Sequence, residues 1–290
     1  MATRSPLLTL NNGVRMPALG LGVYQSAPED TVPAVVTALQ DGYRLIDTAA
    51  AYGNESEVGE GLRRSGVDRD EVFVTTKVWM TDYGYDATLR AFDTSLAKLG
   101  LERLDLYLLH WPVPSAQEQT VASYRAAEKL LADGRARAIG VCNHNPAHLL
   151  SLMERTDIVP AVNQVELHPH FTQAELRTFD AAHGIVTQSW SPIGGANRYL
   201  ATEGTSDPLQ DRAVTALAAK YGKTPAQVVL RWHLEHGLSP IPKSVKPHRI
   251  AENFGVFDFA LAPDEVAALD ALDTGVRGGP DPEQVGLNTL

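Results

Sequence analysis

Tyr43-Arg44-Leu45-Ile46-Asp47-Thr48-Ala49-Ala50-Ala51-Tyr52-Gly53-Asn54-Glu55 passes from an apolar run through a short loop to the start of a helical pattern. The apolar run reads as a strand, and helical spacing begins near Glu55. A carboxylate, Asp47, and a phenol, Tyr52, stand where the strand gives way to the loop. Two later runs end in the same way. Val72-Phe73-Val74-Thr75-Thr76 ends at Lys77, and Leu104-Asp105-Leu106-Tyr107-Leu108-Leu109 ends at His110. An acid, a phenol, an amine and an imidazole thus follow successive strands. Such strand ends are where a parallel α/β barrel carries its chemistry.

The spacing extends this reading to the whole chain. Asp47 to Lys77 is 30 residues, Lys77 to His110 is 33, and His110 to Asn143 is 33. A strand-helix-strand unit takes roughly 30 residues, so equivalent strand ends recur once per unit. Strands are predicted at 19–23, 43–47, 72–77, 104–110, 136–142, 161–166, 185–189 and 238–241. Helical patterns fill the gaps at 29–40, 55–64, 85–99, 120–132, 146–154, 173–183 and 208–221, and Thr224-Pro225 opens another with Pro at its first position. Before them, residues 8–16 alternate around Asn12-Gly13, the chemistry of a tight hairpin turn. The expectation is one domain over 1–290, a (β/α)8 TIM barrel with an N-terminal β-hairpin and extra C-terminal helices and tail. An open doubly wound sheet is the competing arrangement. The stretch 192–207 and the tail 274–290 exceed what a barrel needs, and long loops at its catalytic end close over ligands.

Composition narrows the class. The chain has 290 residues, 44% of them hydrophobic, which suffices for one large core. Its formal net charge of −10 argues against general binding to nucleic acid or to an anionic membrane. The single cysteine, Cys142, forms no intramolecular disulfide, which fits a reducing compartment. The first ten residues show no secretory pattern, and no apolar stretch approaches the roughly 20 residues that span a bilayer. A cytoplasmic protein is expected.

Taken singly, the strand-end residues have ordinary explanations: a surface tyrosine, a structural ion pair, a core histidine. Closing a barrel gathers them into one crater. Burial of Asp47 and Lys77 there costs solvation that a structural role hardly justifies. A phenol holds its proton tightly, with an ordinary pKa near ~10. Lys77 beside Tyr52 is expected to lower that value, with Asp47 holding the ammonium in place. A neutral His110 can orient a carbonyl oxygen. The set suits protonation of an alkoxide as hydride reaches a carbonyl carbon.

The motifs Asp47-Thr48-Ala49, Tyr52-Gly53-Asn54-Glu55, Lys77, Leu109-His110-Trp111-Pro112, Val162-Asn163-Gln164-Val165-Glu166, His168-Pro169 and Ile241-Pro242-Lys243-Ser244 together resemble the aldo-keto reductase family. Gln188-Ser189-Trp190-Ser191-Pro192 and Val256-Phe257-Asp258-Phe259 look most like its bacterial 2,5-diketo-D-gluconate reductase-like branch. The resemblance covers nearly the whole chain in order. It implies an NADPH-dependent carbonyl reductase, working as a monomer on a small-molecule carbonyl substrate. It implies Tyr52 as proton donor, Asp47 and Lys77 as its tuning pair, and His110 as the orienting residue. Asn143 and Gln164 would bond the nicotinamide carboxamide, and Trp190, followed by Ser191, would stack on its ring. Gly22, Val23 and Asp47 would lie close to the cofactor.

Lys243, Ser244, Val245 and Arg249 follow the eighth strand, where barrels often bind phosphate. Two cations, a hydroxyl and a nearby helix start suit the 2′-phosphate of NADPH. By the resemblance, Glu252 and Asn253 would contact the adenine. Tyr24, Trp79 and Trp111 would line an aromatic substrate mouth together with His110. Glu166-Leu167-His168-Pro169-His170 imitates a metal site, but Pro169 breaks strand geometry and no further ligand spacing supports zinc, so no metal is expected. Gly20-Leu21-Gly22 lacks the third glycine of a dinucleotide fingerprint. Two other readings stand beside the reductase: a redox-sensing barrel that holds NADPH with little turnover, and a lyase with Lys77 as a Schiff-base amine.

Overall fold

The computed structural model describes residues 5–194 and 207–287. Strands β1 (Leu7–Thr9) and β2 (Arg15–Pro17) pair antiparallel as the expected hairpin, and Gly13 takes the left-handed turn position with φ 84°. Eight parallel strands follow in chain order around one sheet: β3 (Leu21–Gly22), β4 (Leu45–Asp47), β5 (Phe73–Val78), β6 (Leu104–Leu109), β7 (Ala136–Cys142), β8 (Val162–Glu166), β9 (Val186–Trp190) and β10 (Ser239–Pro240). The sheet closes on itself. Gly20 N donates to Pro240 O at 3.2 Å, Gly22 N donates to Pro242 O at 3.1 Å, and Gly22 bridges Lys243 in parallel. The fold is the expected (β/α)8 barrel.

The closing strands are shorter than the sequence predicts. Regular pairing shrinks to Leu21–Gly22 and Ser239–Pro240. Pro240 and Pro242 have no N–H to give the ladder, so they serve it only as acceptors.

Helices α1 (Pro28–Asp41), α2 (Glu55–Ser65), α3 (Tyr85–Leu99), α4 (Gln117–Ala132), α5 (Pro146–Met153) and α6 (Ala174–Ala182) cover the barrel, followed by α7 (Arg212–Tyr221), α8 (Pro225–Glu235), α9 (Pro247–Phe254) and α10 (Pro263–Asp270). Thr224 and Gln227 form a reciprocal capping box that starts α8. The single helix expected at 208–221 is divided. A 3-10 turn at Pro208–Gln210 ends at Asp211, whose ψ of 140° leaves helical geometry and whose carboxylate caps Ala213 N. The stretch 192–207, read as a loop over the ligand, falls largely outside the described residues. Among the described residues no helix is long and apolar enough to cross a membrane.

Strand alternation sorts the core into two layers. Leu45, Phe73, Leu106, Leu108, Ala138, Cys142 and Val162 fill the barrel interior, with Leu10 and Met16 of the hairpin among them. Ile46, Val74, Tyr107, Leu109, Ile139, Val141 and Val165 face the helices. One step along the interior column from Leu45, Leu108 and Val162, and two steps from Phe73, lies a polar residue near the carboxyl end. The period of two therefore delivers Asp47, Lys77, His110 and Gln164 to a single crater.

Candidate active site

Tyr52 closes a 3-10 turn (Ala50–Tyr52), which Gly53 ends at φ 67°. The loop is tied to its neighbour by Asn54. Thr48 Oγ1 donates to Asn54 Oδ1 at 2.8 Å, and Asn54 Nδ2 donates to Val23 O at 2.9 Å. Tyr52 is thereby fixed over the barrel rather than carried on a free loop.

Lys77 is wholly buried and uses all three of its donors. Its Nζ lies 2.6 Å from Asp47 Oδ1, 2.9 Å from Thr48 O and 3.2 Å from Tyr52 Oη. Burial works against charge on both partners, pushing the Asp47 carboxyl up; Lys77 and Gln164 pull it back. Burial likewise works to lower Lys77, but Asp47, with Tyr52 and Cys142 adding to it, more than offsets that and holds the ammonium protonated. A protonated, fully bonded amine cannot attack a carbonyl, so the geometry opposes the Schiff-base reading.

The expected lowering of the Tyr52 pKa is reversed. Burial pushes the phenol above its ordinary value, and Lys77 only partly opposes that push. Desolvation penalises the phenolate more than one ammonium at 3.2 Å stabilises it. The Tyr52 phenol is therefore neutral, with the Lys77 ammonium beside its oxygen.

His110 is held well below its ordinary pKa by burial and by Lys77, and is neutral. Its Nδ1 is buried and has no partner among the described residues. Its ring meets Tyr52 edge-on at 5.7 Å and Trp79 edge-on at 5.0 Å. Tyr24, half exposed, meets the other side of Tyr52 at 5.0 Å. Trp111 is almost fully buried, and its backbone N and O are both bonded to Tyr83 Oη.

Gln164 Nε2 donates to Asp47 Oδ2 at 2.8 Å and to Gln188 Oε1 at 2.6 Å. Both amide protons are spent, and among the described residues its carbonyl oxygen accepts nothing. Asn143 Nδ2 donates to His110 O at 3.0 Å, and Asn143 Oδ1 accepts from Trp190 Nε1 at 2.8 Å. Asn143 and Ser191 are both non-glycine residues in left-handed backbone, with φ 62° and 47°. Such strain at two strand ends is a mark of a functional site.

At the far end, Ser244 is buried and accepts from Lys246 N at 3.1 Å. Arg249 lies in the first turn of α9, whose N-cap residue Lys246 supplies no side-chain cap. Among the described residues Lys243 and Arg249 have no anionic partner. Glu252 accepts from Thr224 Oγ1 at 2.8 Å, and Asn253 beside it is buried. Gly22, with Val23 next to it, stands at the barrel seam, where a Cβ would come 3.0 Å from Ile241 O.

Three residues escaped the sequence reading as site members. Gln188 orients Gln164 and is itself bonded to Ser239 Oγ at 3.1 Å. The backbone carbonyl of Thr48 takes the third proton of Lys77. In the sequence Glu166 stands in a family motif and in a metal lookalike, with no role of its own. It instead accepts from the tail amides of Gly278 and Gly279, each at 2.8 Å. Its place on the interior column of β8, two residues after Gln164, was the available signal. Among the described residues no group of His, Cys, Asp and Glu is arranged to hold a metal.

Comparison with known proteins identifies the family. The model of the Aldo/keto reductase family matches residues 18–274. Morphine 6-dehydrogenase of Pseudomonas putida is 56% identical over 297 residues, spanning 100% of this chain and 99% of that protein. Methylglyoxal reductase DkgA of Yersinia pestis is 48% identical over 284 residues, spanning 98% of this chain and 99% of that one. The crystal structure of a Bombyx mori aldo-keto reductase in complex with NADP superposes with TM-score 0.91 at 35% identity, over 97% of each chain. The chain is a member of the aldo/keto reductase family, in the branch that includes DkgA.

Proposed function

We propose that this protein reduces small aldehydes and ketones to alcohols with NADPH, and that Tyr52 delivers the proton. The observation that carries the reading is the buried chain Asp47, Lys77, Tyr52, joined at 2.6 and 3.2 Å, with neutral His110 against the phenol. NADPH fits the residues present. The uncommitted carbonyl oxygen of Gln164 suits a carboxamide N–H, and Trp190 offers a planar face. Lys243, Ser244 and Arg249 at an uncapped helix start suit a phosphate dianion. When bound, NADPH supplies the hydride.

The chain's own part is to hold the carbonyl and to move a proton. A neutral His110 donates to the carbonyl oxygen without competing for the proton. Tyr52 Oη then gives its proton to the developing alkoxide. An alkoxide is a far stronger base than a phenolate, so the transfer is downhill even from a phenol with a raised pKa. Lys77 stabilises the phenolate left behind, and Asp47 keeps Lys77 charged and in place.

The relative named methylglyoxal reductase supports a small dicarbonyl as substrate, and the aromatic rim of Tyr24 and Trp79 suits an apolar wall beside the polar centre. A cytoplasmic monomer completes the reading, supported by the single buried cysteine and the net charge of −10. Sedimentation tests the monomer. NADPH oxidation with methylglyoxal, followed through many turnovers beside NADH, tests the activity. Sustained turnover favouring NADPH is expected; tight NADPH binding that stalls after one turnover would favour a redox sensor instead.

A further inference from the structure

We propose that Glu166 is a positioning residue that fixes the Trp190 indole through the chain's own C-terminal tail; the inference deepens the cofactor reading above and rests on it. Glu166 ends β8, its side chain is wholly buried, and it pairs in register with Trp190 of β9. Its Oε1 accepts from Gly278 N and its Oε2 from Gly279 N, both at 2.8 Å, while His168 Nε2 lies 3.2 Å from Oε1. Two successive amides on the two oxygens of one carboxylate leave the tail no freedom to slide or rotate there.

The residue so anchored lies against the indole. A Cβ on Gly279 would come 2.4 Å from Trp190 Cη2 and 3.3 Å from Cζ3, so tail backbone packs on the benzo edge of the ring where no side chain fits. The opposite end of the indole is fastened too, since Nε1 donates to Asn143 Oδ1 at 2.8 Å. Held at both ends of its long axis, the ring cannot turn about χ2, a torsion that is otherwise broad. Its plane is set before any ligand arrives, as stacking on a flat ring requires.

Neighbouring ties keep the tail in register with the carboxylate. Thr274 Oγ1 donates to His170 O at 2.9 Å, Arg277 lies 4.7 Å over the Phe171 ring, and Glu283 takes a hydrogen bond from Asn145. A carboxylate is the required group at 166. Glutamine would keep one acceptor and set an N–H₂ against the second amide, donor to donor.

The test compares the dissociation constants of NADPH and of adenosine 2′,5′-bisphosphate, which lacks the nicotinamide, in wild type, Glu166→Gln and Gly279→Ala. Gly279 has no positive φ, so its alanine variant keeps Glu166 a carboxylate and demands no left-handed backbone, while its Cβ presses on the ring and on Oε2. It also keeps the test sound if Glu166→Gln fails to fold. Affinity for NADPH is expected to fall about three- to tenfold in both variants, with the bisphosphate unchanged. Unchanged NADPH affinity, or equal weakening of both ligands, would overturn the proposal. A wild-type protein that binds NADPH no better than the bisphosphate would instead overturn the cofactor reading itself.

Discussion

The Lys77 ammonium lies 3.2 Å from the Tyr52 hydroxyl, and that distance joins a buried ion pair to the phenol proposed as proton donor. Lys77→Met should lower turnover by on the order of 10²–10⁴, the range for losing a general-acid effect. It should also destabilise the fold by about 3–5 kcal/mol, because Asp47 is left buried and unpaired. Adding Asp47→Asn should restore stability without restoring turnover. Urea unfolding alongside saturating-NADPH kinetics checks both halves.

Acid should destabilise the protein before it inactivates ordinary surface groups. Burial pushes His144 and His233 down to about 3 and His110 well below 6.5. In the unfolded chain these rings titrate near ~6.5. Below that pH the unfolded state binds protons that the folded state refuses, so stability falls as pH falls. Asp180, raised by burial to about 7, acts in the opposite sense, as does Asp47. The three histidines outweigh them. A lower urea midpoint at pH 5 than at pH 7 is expected, with a slope of about 1.4 kcal/mol per pH unit for each uncompensated proton. A midpoint that holds or rises on acidification would contradict this balance.

Gly59 marks a backbone contact between α2 and α3. A Cβ there would lie 2.3 Å from Leu99 O, which cannot swing aside as a side chain would. Gly59→Ala should cost about 1–3 kcal/mol by overpacking, although alanine is the better helix former. Thermal unfolding checks it; a raised Tm would show that the two helices part freely.

Arg249→Ala should separate the two nicotinamide cofactors. Loss of a charge-assisted hydrogen bond of about 1.5–3 kcal/mol should weaken NADPH by roughly tenfold to a hundredfold and leave NADH unaffected. Equal loss for both cofactors would remove Arg249 from phosphate recognition.

Much of this was legible in the chain because barrels repeat. The strand ends at Asp47, Lys77, His110 and Asn143 recur at intervals of 30 and 33 residues, and strand alternation turns three of them inward. The tail was not legible. It has no period, and its place depends on two glycine amides meeting Glu166 more than a hundred residues earlier. The rise of the Tyr52 pKa is hidden from the sequence for a related reason. Proximity to Lys77 could be inferred from neighbouring strands, but the depth of burial that outweighs it is a property of the assembled crater.

The central claim is that Tyr52 gives the proton. Its most direct test is Tyr52→Phe assayed for NADPH oxidation with methylglyoxal, beside NADPH affinity measured on the same protein. The account predicts that turnover falls by on the order of 10²–10⁴ while NADPH affinity stays near that of wild type. Near-normal turnover in the phenylalanine variant would contradict it and remove the phenol from the mechanism.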